Sequence, residues 1–289
     1  MAKPFVNPFV SGQFLELRVD ALVSDGRGLG RHDGVVVLVE DALPGQLVRA
    51  RVAAVRKSLA EAALVEVLER SPDEQEPPCP HAGRCGGCSW QSLAYGRQLA
   101  WKERIVHDAL ERVGKVACPP MLPILPSPSE WGYRNKMEFA FGVSGDGGKA
   151  LGLRERGSRN IVGVTGCLLQ RPLTMRVLEA VRMLSNGAFH DLDGRFLVVR
   201  EPNAGGCFVE LIVGAGGSLE AGERFAEALR AETPEVTGFA LSERLAPSDV
   251  AYGERALYAD GRLEERIGDV RLQMGHNAFF QVNTPAAEL

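Results

Sequence analysis

The stretch Gly26-Arg27-Gly28-Leu29-Gly30-Arg31 lies between two runs that are typical of β-strands. Before it, Gln13–Val23 alternates apolar and polar residues, and after it Val35–Val39 is a short apolar run. Further strand-like runs follow at 47–55 and 59–68. Short β-runs separated by glycine-rich turns predict a small all-β barrel. We interpret the glycines as a hairpin, because a phosphate-binding loop would lead into a helix.

Length and composition limit the remaining choices. The chain has 289 residues, 45% of them hydrophobic and 24% charged, which is typical of a globular protein with about two domains. No apolar run reaches the roughly 18–20 residues of a membrane helix, and no signal-peptide core precedes the barrel. We therefore predict a cytoplasmic protein that does not contact a membrane, and we expect a monomer.

The charge distribution excludes a uniformly basic protein. The net charge is −4, so a nucleic-acid partner would need a local basic patch. Residues 119–165 carry six basic and four acidic side chains and are the only region with a positive balance.

After the barrel, the pattern predicts an α+β, multidomain chain. A proline-rich boundary at 71–80 leads into a cysteine segment, and a helix is expected over 95–113. From 131 onwards strands and helices are mixed without regular βα alternation, which favours an α+β layer over a doubly wound sheet. The predicted domains are 12–71, 72–118, 119–275 and 276–289. The predicted helices are 172–186 and 219–231, and the predicted strands are 133–143, 150–153, 161–164, 196–200, 207–213, 236–241 and 270–274.

Three cysteines with C-x5-C-x2-C spacing indicate a metal site. Cys79, Cys85 and Cys88 lie in a loop rich in glycine and proline, which can bring thiolates together. A closed thiolate site normally has four protein ligands, for either zinc or an iron–sulfur cluster. Spacing alone does not decide between the two metals.

Four residues compete for the fourth position. His81 lies between two of the ligands, where reaching the same ion would strain the loop. Cys207 belongs to an apolar strand and is typical of a buried thiol. Cys118 precedes two prolines, and Cys167 follows a strand on a turn that we expect to be exposed.

Taken together, these features resemble the RNA uracil-C5 methyltransferases that carry an N-terminal TRAM domain and an iron–sulfur cluster. The glycine hairpin with Pro44-Gly45 is similar to the TRAM pattern, an OB-like β-barrel, and the cysteine loop is similar to the family's cluster loop. The resemblance implies a 4Fe-4S cluster on Cys79, Cys85, Cys88 and Cys167. Carrying both barrel and cluster is typical of the members that act on ribosomal RNA.

Two further motifs carry the resemblance. Trp131-Gly132-Tyr133-Arg134-Asn135-Lys136 resembles the start of the family's central domain, and Phe279-Phe280-Gln281-Val282-Asn283 resembles the start of its Rossmann-like methyltransferase domain. The resemblance implies that Gln281 touches S-adenosylmethionine and that Phe279 lies near RNA.

The family's nucleophilic cysteine and general base have no match in this sequence. The resemblance implies that they lie downstream of the glutamine motif, so we assign no catalytic residue to this chain. Thr284 and Pro285 predict an N-cap and first position of a helix, with the chain ending soon after. We expect the sequence to be the front part of a longer enzyme and to be inactive alone.

Basic residues in the central region are candidates for RNA contact. Arg134 and Lys136 fall on one face of an extended segment, and Arg154 and Arg156 on one face of another. Basic side chains beside aromatic ones are typical of single-stranded RNA surfaces, and also of an ordinary solvated strand face. The alternative function is a non-catalytic RNA-binding module with a structural metal, either 4Fe-4S or zinc.

Overall fold

The computed structural model describes residues 7–247 and 249–289. These residues divide into two compact units. Among the described residues, the first unit contains 7–83 and 88–125, and the second contains 84–87, 126–247 and 249–289. The four-part division predicted from sequence stays a prediction.

The first unit contains a closed five-stranded barrel with strand order β1-β2-β3-β5-β4. On β1 the buried residues alternate with exposed ones, so that Leu15, Leu17 and Val19 fill the interior. Gly30 is required by close packing, because a Cβ there would lie 2.3 Å from the carbonyl oxygen of Arg18. The predicted barrel and its glycine hairpin are therefore confirmed. The strands are β1 Phe14–Leu22, β2 Gly28–His32, β3 Val35–Glu40, β4 Leu47–Val55 and β5 Leu59–Glu69.

A helix follows the barrel in the same unit. Helix α1 spans Tyr95–Asp108 and continues as a π-helical turn over Ala109–Val113. Trp101 and Ile105 of α1 pack on a small apolar cluster that includes Leu93. The helix predicted over 95–113 is thus present, with its last five residues in π-helical geometry.

The second unit contains a seven-stranded sheet with order β12-β11-β10-β9-β6-β7-β8. Strands β10 and β11 pair in parallel, with α3 between them in the chain, and the other described neighbours pair antiparallel. Helices α2 and α3 pack on one face of the sheet, so the predicted α+β architecture is confirmed. The elements are β6 Lys136–Val143, β7 Lys149–Arg154, β8 Ile161–Val162, α2 Pro172–Asn186, β9 Gly194–Arg200, β10 Cys207–Val213, α3 Leu219–Glu232, β11 Val236–Glu243 and β12 Arg255–Asp260.

A separate hairpin and a short helix complete this unit. The hairpin pairs β13 Leu263–Ile267 with β14 Val270–Met274, and α4 spans Thr284–Ala287. Strand β14 and a helix starting at Thr284 were expected from sequence, whereas β13 was not. The expected N-cap at Thr284 is wrong: the side chain of Asn283 caps α4 by accepting from the N–H of Ala286, because the Thr284 hydroxyl is buried in other hydrogen bonds.

Among the described residues, no helix combines the length and apolar character needed to cross a membrane.

Candidate nucleic-acid interface

The two residues before β6 pair with the residues that precede α4. The backbone N–H of Asn135 donates to the carbonyl oxygen of Val282 at 2.8 Å, and Arg134 forms an antiparallel bridge with Asn283. The Asn135 amide also reaches the hydroxyl of Thr284, 149 positions further along the chain. Two motifs that were distant in sequence are therefore adjacent within the second unit.

On its other side, the same stretch pairs with the turn that carries Cys167. The N–H of Gly132 donates to the carbonyl oxygen of Leu168 at 2.8 Å, and the N–H of Arg134 donates to that of Leu169 at 3.1 Å. Cys167 is half-buried and packs against the main core, so the expected exposed turn is only partly exposed. Three chain segments thus lie side by side.

Residues 278–284, which we call the glutamine segment, present alternate side chains to solvent. Phe279 is 85% exposed, and Gln281 is exposed too, whereas Phe280 and Val282 are half-buried. Alternation of this kind is typical of extended backbone with one face packed on the protein. The two side chains that the sequence singled out are therefore available to a ligand.

Buried polar side chains hold the backbone of the glutamine segment. Arg200, 4% exposed, donates through Nη2 to the carbonyl oxygen of Ala278 at 2.6 Å. Asn135, 5% exposed, donates through Nδ2 to the carbonyl oxygen of Gln281 at 2.9 Å. Loss of hydration lowers the pKa of Arg200 from its usual high value.

A buried carboxylate lies behind these contacts. Glu265 Oε1 accepts from the N–H groups of Asn203 (2.7 Å) and Arg266 (2.9 Å). Its Oε2 accepts from Asn135 Nδ2 (3.1 Å) and from the hydroxyl of Thr284 (3.2 Å). Neither Asn135 nor Glu265 was predicted from sequence as a site residue. Glu265 lies two positions from both Leu263 and Ile267 and so shares their face of β13, and this spacing is the signal that could have marked it as buried.

Carboxylates pair with two of the four basic residues predicted to bind RNA. Lys136 Nζ donates to Glu138 Oε1 at 2.5 Å, and both side chains belong to β6. Arg154 Nη2 lies 2.7 Å from Asp249 Oδ1. Phosphate contact by either residue therefore requires exchange of an existing ion pair.

The third predicted residue, Arg134, lies beside polar atoms that have no partner. Its Nη1 is 3.8 Å from Met137 Sδ, and its Nε is buried without a hydrogen-bond partner among the described residues. Gln170, which pairs with Arg134 through the backbone, is 5% exposed. Both polar atoms of its side-chain amide are unpartnered within the same described part of the chain.

The fourth predicted residue, Arg156, lies opposite Arg84, which was not predicted from sequence to bind RNA. The N–H of Arg156 donates to the carbonyl oxygen of Arg84 at 2.8 Å, and the N–H of Gly86 donates to that of Arg154 at 2.9 Å. Cys85 is paired with Glu155 in this antiparallel arrangement, so Arg84, Arg154 and Arg156 share the other face. Carboxylates already offset part of this charge, because Arg154 pairs with Asp249 and Arg84 lies within electrostatic range of Asp146 and Glu155.

The cysteine segment, residues 79–88, is shared between the two units. Cys79 and Cys88 belong to the first unit, whereas Cys85 and Cys167 belong to the second. All six cysteines of the chain are thiols, without disulfide bonds. Burial raises the pKa of the Cys207 thiol, as expected for a core residue.

Thiol groups are chemically suited to zinc or to an iron–sulfur cluster. Within residues 7–247 and 249–289, however, no three or more His, Cys, Asp or Glu side chains are grouped so that they could hold a metal ion. The predicted ligands Cys79, Cys85, Cys88 and Cys167 are divided between the two units, and the metal centre stays a proposal.

Comparison with known proteins identifies a TRAM domain over residues 8–65, the region of the barrel. An uncharacterized RNA methyltransferase of Nitratidesulfovibrio vulgaris is 45% identical over 293 residues, covering 97% of this chain and 63% of its own length. An uncharacterized RNA methyltransferase of Synechocystis is 32% identical, with 96% and 62% covered. This chain therefore spans a little less than two thirds of the relatives it matches.

A solved structure shares the fold. The Pyrococcus abyssi tRNA (uracil-54, C5)-methyltransferase, solved with S-adenosyl-L-homocysteine, superimposes with a TM-score of 0.69 over 94% of this chain and 62% of that one. The sequence identity is 23%, so the likeness concerns the fold alone.

Proposed function

We propose that this chain is the RNA-binding part of an S-adenosylmethionine-dependent RNA methyltransferase that forms 5-methyluridine. The observation that carries the proposal is the glutamine segment, in which Phe279 and Gln281 face solvent from a backbone anchored by buried side chains. The TRAM domain and the relatives named RNA methyltransferases support RNA as the partner.

In this proposal the two exposed side chains have different ligands. Phe279 stacks on an RNA base, because an exposed ring on a fixed backbone loses little conformational freedom on stacking. Gln281 contacts S-adenosylmethionine, which supplies the methyl group when bound. The side-chain amide can donate to and accept from the cofactor's polar groups.

The RNA backbone would lie along the basic face of the second unit. Arg84, Arg154 and Arg156 share one face of the paired segments, which suits phosphate binding once Arg154 has left Asp249. Arg134 adds a contact next to the unsatisfied amide of Gln170, and Lys136 contributes only after it leaves Glu138.

Methyl transfer at C5 of uracil needs a nucleophile for C6 and a base for the C5 proton. We propose that both lie outside this chain and that the chain alone is inactive. Cys207, with its raised pKa and full burial, is unsuited to nucleophilic attack. Ribosomal RNA as the substrate, a monomeric state and a cytoplasmic location remain predictions from the resemblance.

We further propose that Cys79, Cys85, Cys88 and Cys167 hold a 4Fe-4S cluster. The thiol state of these residues and the sequence resemblance support this proposal. A non-catalytic RNA-binding module with a structural metal is the second candidate, because no nucleophile was matched in this chain.

RNA binding tests the proposal directly. A fluorescein-labelled 12-nucleotide oligouridine should bind the chain, and Phe279→Ala should weaken binding about 5- to 100-fold through lost stacking. Tyr252→Ala removes another half-exposed aromatic ring of the same unit and is the matched control. Equal affinities for all three proteins would contradict the proposed RNA contact.

A further inference from the structure

The cluster formed by Asn135, Glu265 and Thr284 is more deeply buried than most polar groups in this protein. Glu265 is 1% exposed and Thr284 is fully buried. Burying a carboxylate is costly unless its oxygens are well supplied with donors, and here four neutral donors approach it between 2.7 and 3.2 Å. So costly an arrangement indicates a role that an apolar cluster could not perform.

The geometry of Asn135 identifies that role. Its backbone N–H binds the carbonyl oxygen of Val282 at 2.8 Å, and its side-chain Nδ2 binds that of Gln281 at 2.9 Å. The second amide hydrogen is shared between Thr284 Oγ1 at 2.7 Å and Glu265 Oε2 at 3.1 Å, and the Thr284 hydroxyl in turn donates to Glu265. Asn135 therefore binds the carbonyl oxygens of two consecutive residues and the side chain of Thr284, two positions further on.

Contacts with consecutive carbonyls fix the register of an extended segment. A slip of one residue in such a segment would exchange the exposed and packed faces. Phe280 and Val282 would then face solvent, while Phe279 and Gln281 would face the protein. Packing of the aromatic ring does not by itself discriminate between the two registers, because Phe279 and Phe280 are the same residue type.

We propose that Asn135 is a positioning residue that, with Glu265 and Thr284 behind it, sets the register of the glutamine segment and so presents Phe279 and Gln281 to their ligands. This inference rests on the proposed RNA contact of Phe279. Glu265 accepts the hydrogen of the Thr284 hydroxyl, so the hydroxyl oxygen accepts from Asn135 Nδ2. The other hydrogen of Nδ2 then binds the carbonyl oxygen of Gln281.

A double-mutant cycle tests the positioning role. In the wild-type chain, Phe279→Ala should weaken oligouridine binding about 5- to 100-fold. In chains carrying Thr284→Val or Asn135→Leu, the same substitution should cost less than about 2-fold, because the ring is no longer held for stacking. Arg84→Ala should weaken oligouridine binding by the same factor in all backgrounds, since Arg84 belongs to the basic face and not to the glutamine segment.

Thr233→Val is the matched control for Thr284→Val. Thr233 is a buried threonine of the same unit, 2% exposed, and its hydroxyl has no hydrogen-bond partner among the described residues. In the Thr233→Val background the Phe279→Ala effect should equal that in wild type. Circular dichroism and thermal unfolding establish which variants are folded. Thr284→Val, which exchanges one hydroxyl for a methyl group, gives a second route if Asn135→Leu does not fold.

The outcomes separate the two proposals. An undiminished Phe279→Ala effect in folded Thr284→Val overturns the positioning role and leaves the RNA contact standing. No Phe279→Ala effect in wild type overturns the RNA contact. In that case amide hydrogen exchange at Asn135, whose N–H binds Val282, decides the positioning role. Faster exchange in Thr284→Val but not in Thr233→Val supports it, and equal exchange overturns it.

Discussion

The glutamine segment and the cysteine segment are both irregular stretches, but different interactions hold them. Arg200, Asn135 and Thr284, all buried, fix the backbone or side chains of the glutamine segment. The cysteine segment is held by a turn between Ala82 and Cys79 and by backbone pairing at Cys85, and its residues belong to two different units.

The glutamine segment and the cysteine segment differ in the source of the groups that stabilise them. Donors and acceptors supplied by the protein complete the glutamine segment, so it is ordered by the chain itself. For the cysteine segment, the proposed cluster would add cross-links to those of the protein, as metals do in small modules. The first segment should therefore be sensitive to single polar substitutions, and the second to loss of metal.

Metal content should give the largest effect. We expect the chain purified without oxygen to contain about four irons and to absorb visible light. Cys88→Ser should remove nearly all the iron and destabilise the region, whereas Cys118→Ser, outside the proposed ligand set, should retain it. Iron analysis and an electronic spectrum measure both. One zinc per chain would replace the cluster by a structural zinc site, and no bound metal in any variant would contradict the metal proposal.

Asn135→Asp should give the next largest effect, on stability. The new carboxylate would lie about as close to Glu265 as the amide nitrogen does now, at 3.1 Å, and could donate no hydrogen bond. We expect the free energy of unfolding in urea to fall by roughly 3–5 kcal/mol. Asn186→Asp, at an exposed position at the end of α2, should cost less than about 1 kcal/mol. Equal losses of unfolding free energy in Asn135→Asp and Asn186→Asp would mean that the buried cluster does not contribute to stability beyond an exposed position.

Asp260 offers a reference carboxylate that is paired with a cation. Arg230 binds it through both terminal nitrogens, and Tyr258 and the N–H of Phe239 also donate to it. Burial, the largest single influence, raises the pKa of Asp260, but these hydrogen bonds together outweigh it and lower the pKa.

A lowered carboxyl pKa stabilises the folded state above the pKa of the unfolded chain and loses that effect as pH falls through the folded pKa. Asp260→Asn should therefore lower the free energy of unfolding by about 1–3 kcal/mol at pH 7. The difference from wild type should shrink below about pH 4, near the ordinary carboxyl pKa. Urea titrations at several pH values test this, and a difference that stays constant down to pH 2 would rule out the ion pair as its source.

The smallest expected effect concerns the salt dependence of RNA binding. Replacing Arg84 with alanine should weaken oligouridine binding modestly and reduce the slope of log affinity against log salt by about 0.7, the value for one phosphate on a single strand. Arg176→Ala removes an exposed arginine of α2 that is paired with Glu235, and should leave the slope unchanged. Equal slopes of log affinity against log salt for Arg84→Ala and Arg176→Ala would refute phosphate binding by the basic face.

Much of the fold could be predicted, because the apolar patterns were clear. The strand of Leu47–Val55 and the helix of Pro172–Asn186 have the predicted bounds, since alternation and the Pro–Gly punctuation are local signals. The strand Arg255–Asp260 was missed because its side chains are mostly exposed or half-buried and give no apolar run.

The candidate site was only partly predictable, for a physical reason. Phe279 and Gln281 could be selected because they belong to a recognisable motif. Asn135, Glu265 and Arg84 act through contacts with residues far away in sequence, and no local pattern encodes such partners. Lys136 was selected for its charge, but Glu138 two residues on, on the same strand face, already pairs with it.

The proposed methyltransferase function can be tested by complementing cells that lack the gene and mapping 5-methyluridine in ribosomal RNA by mass spectrometry. We predict that deletion removes 5-methyluridine at one or more sites and that the wild-type gene restores it. Gln273→Ala, an exposed glutamine of β14, should restore it too, whereas Gln281→Ala should not. Unchanged 5-methyluridine after deletion, or full restoration by Gln281→Ala, would contradict the account.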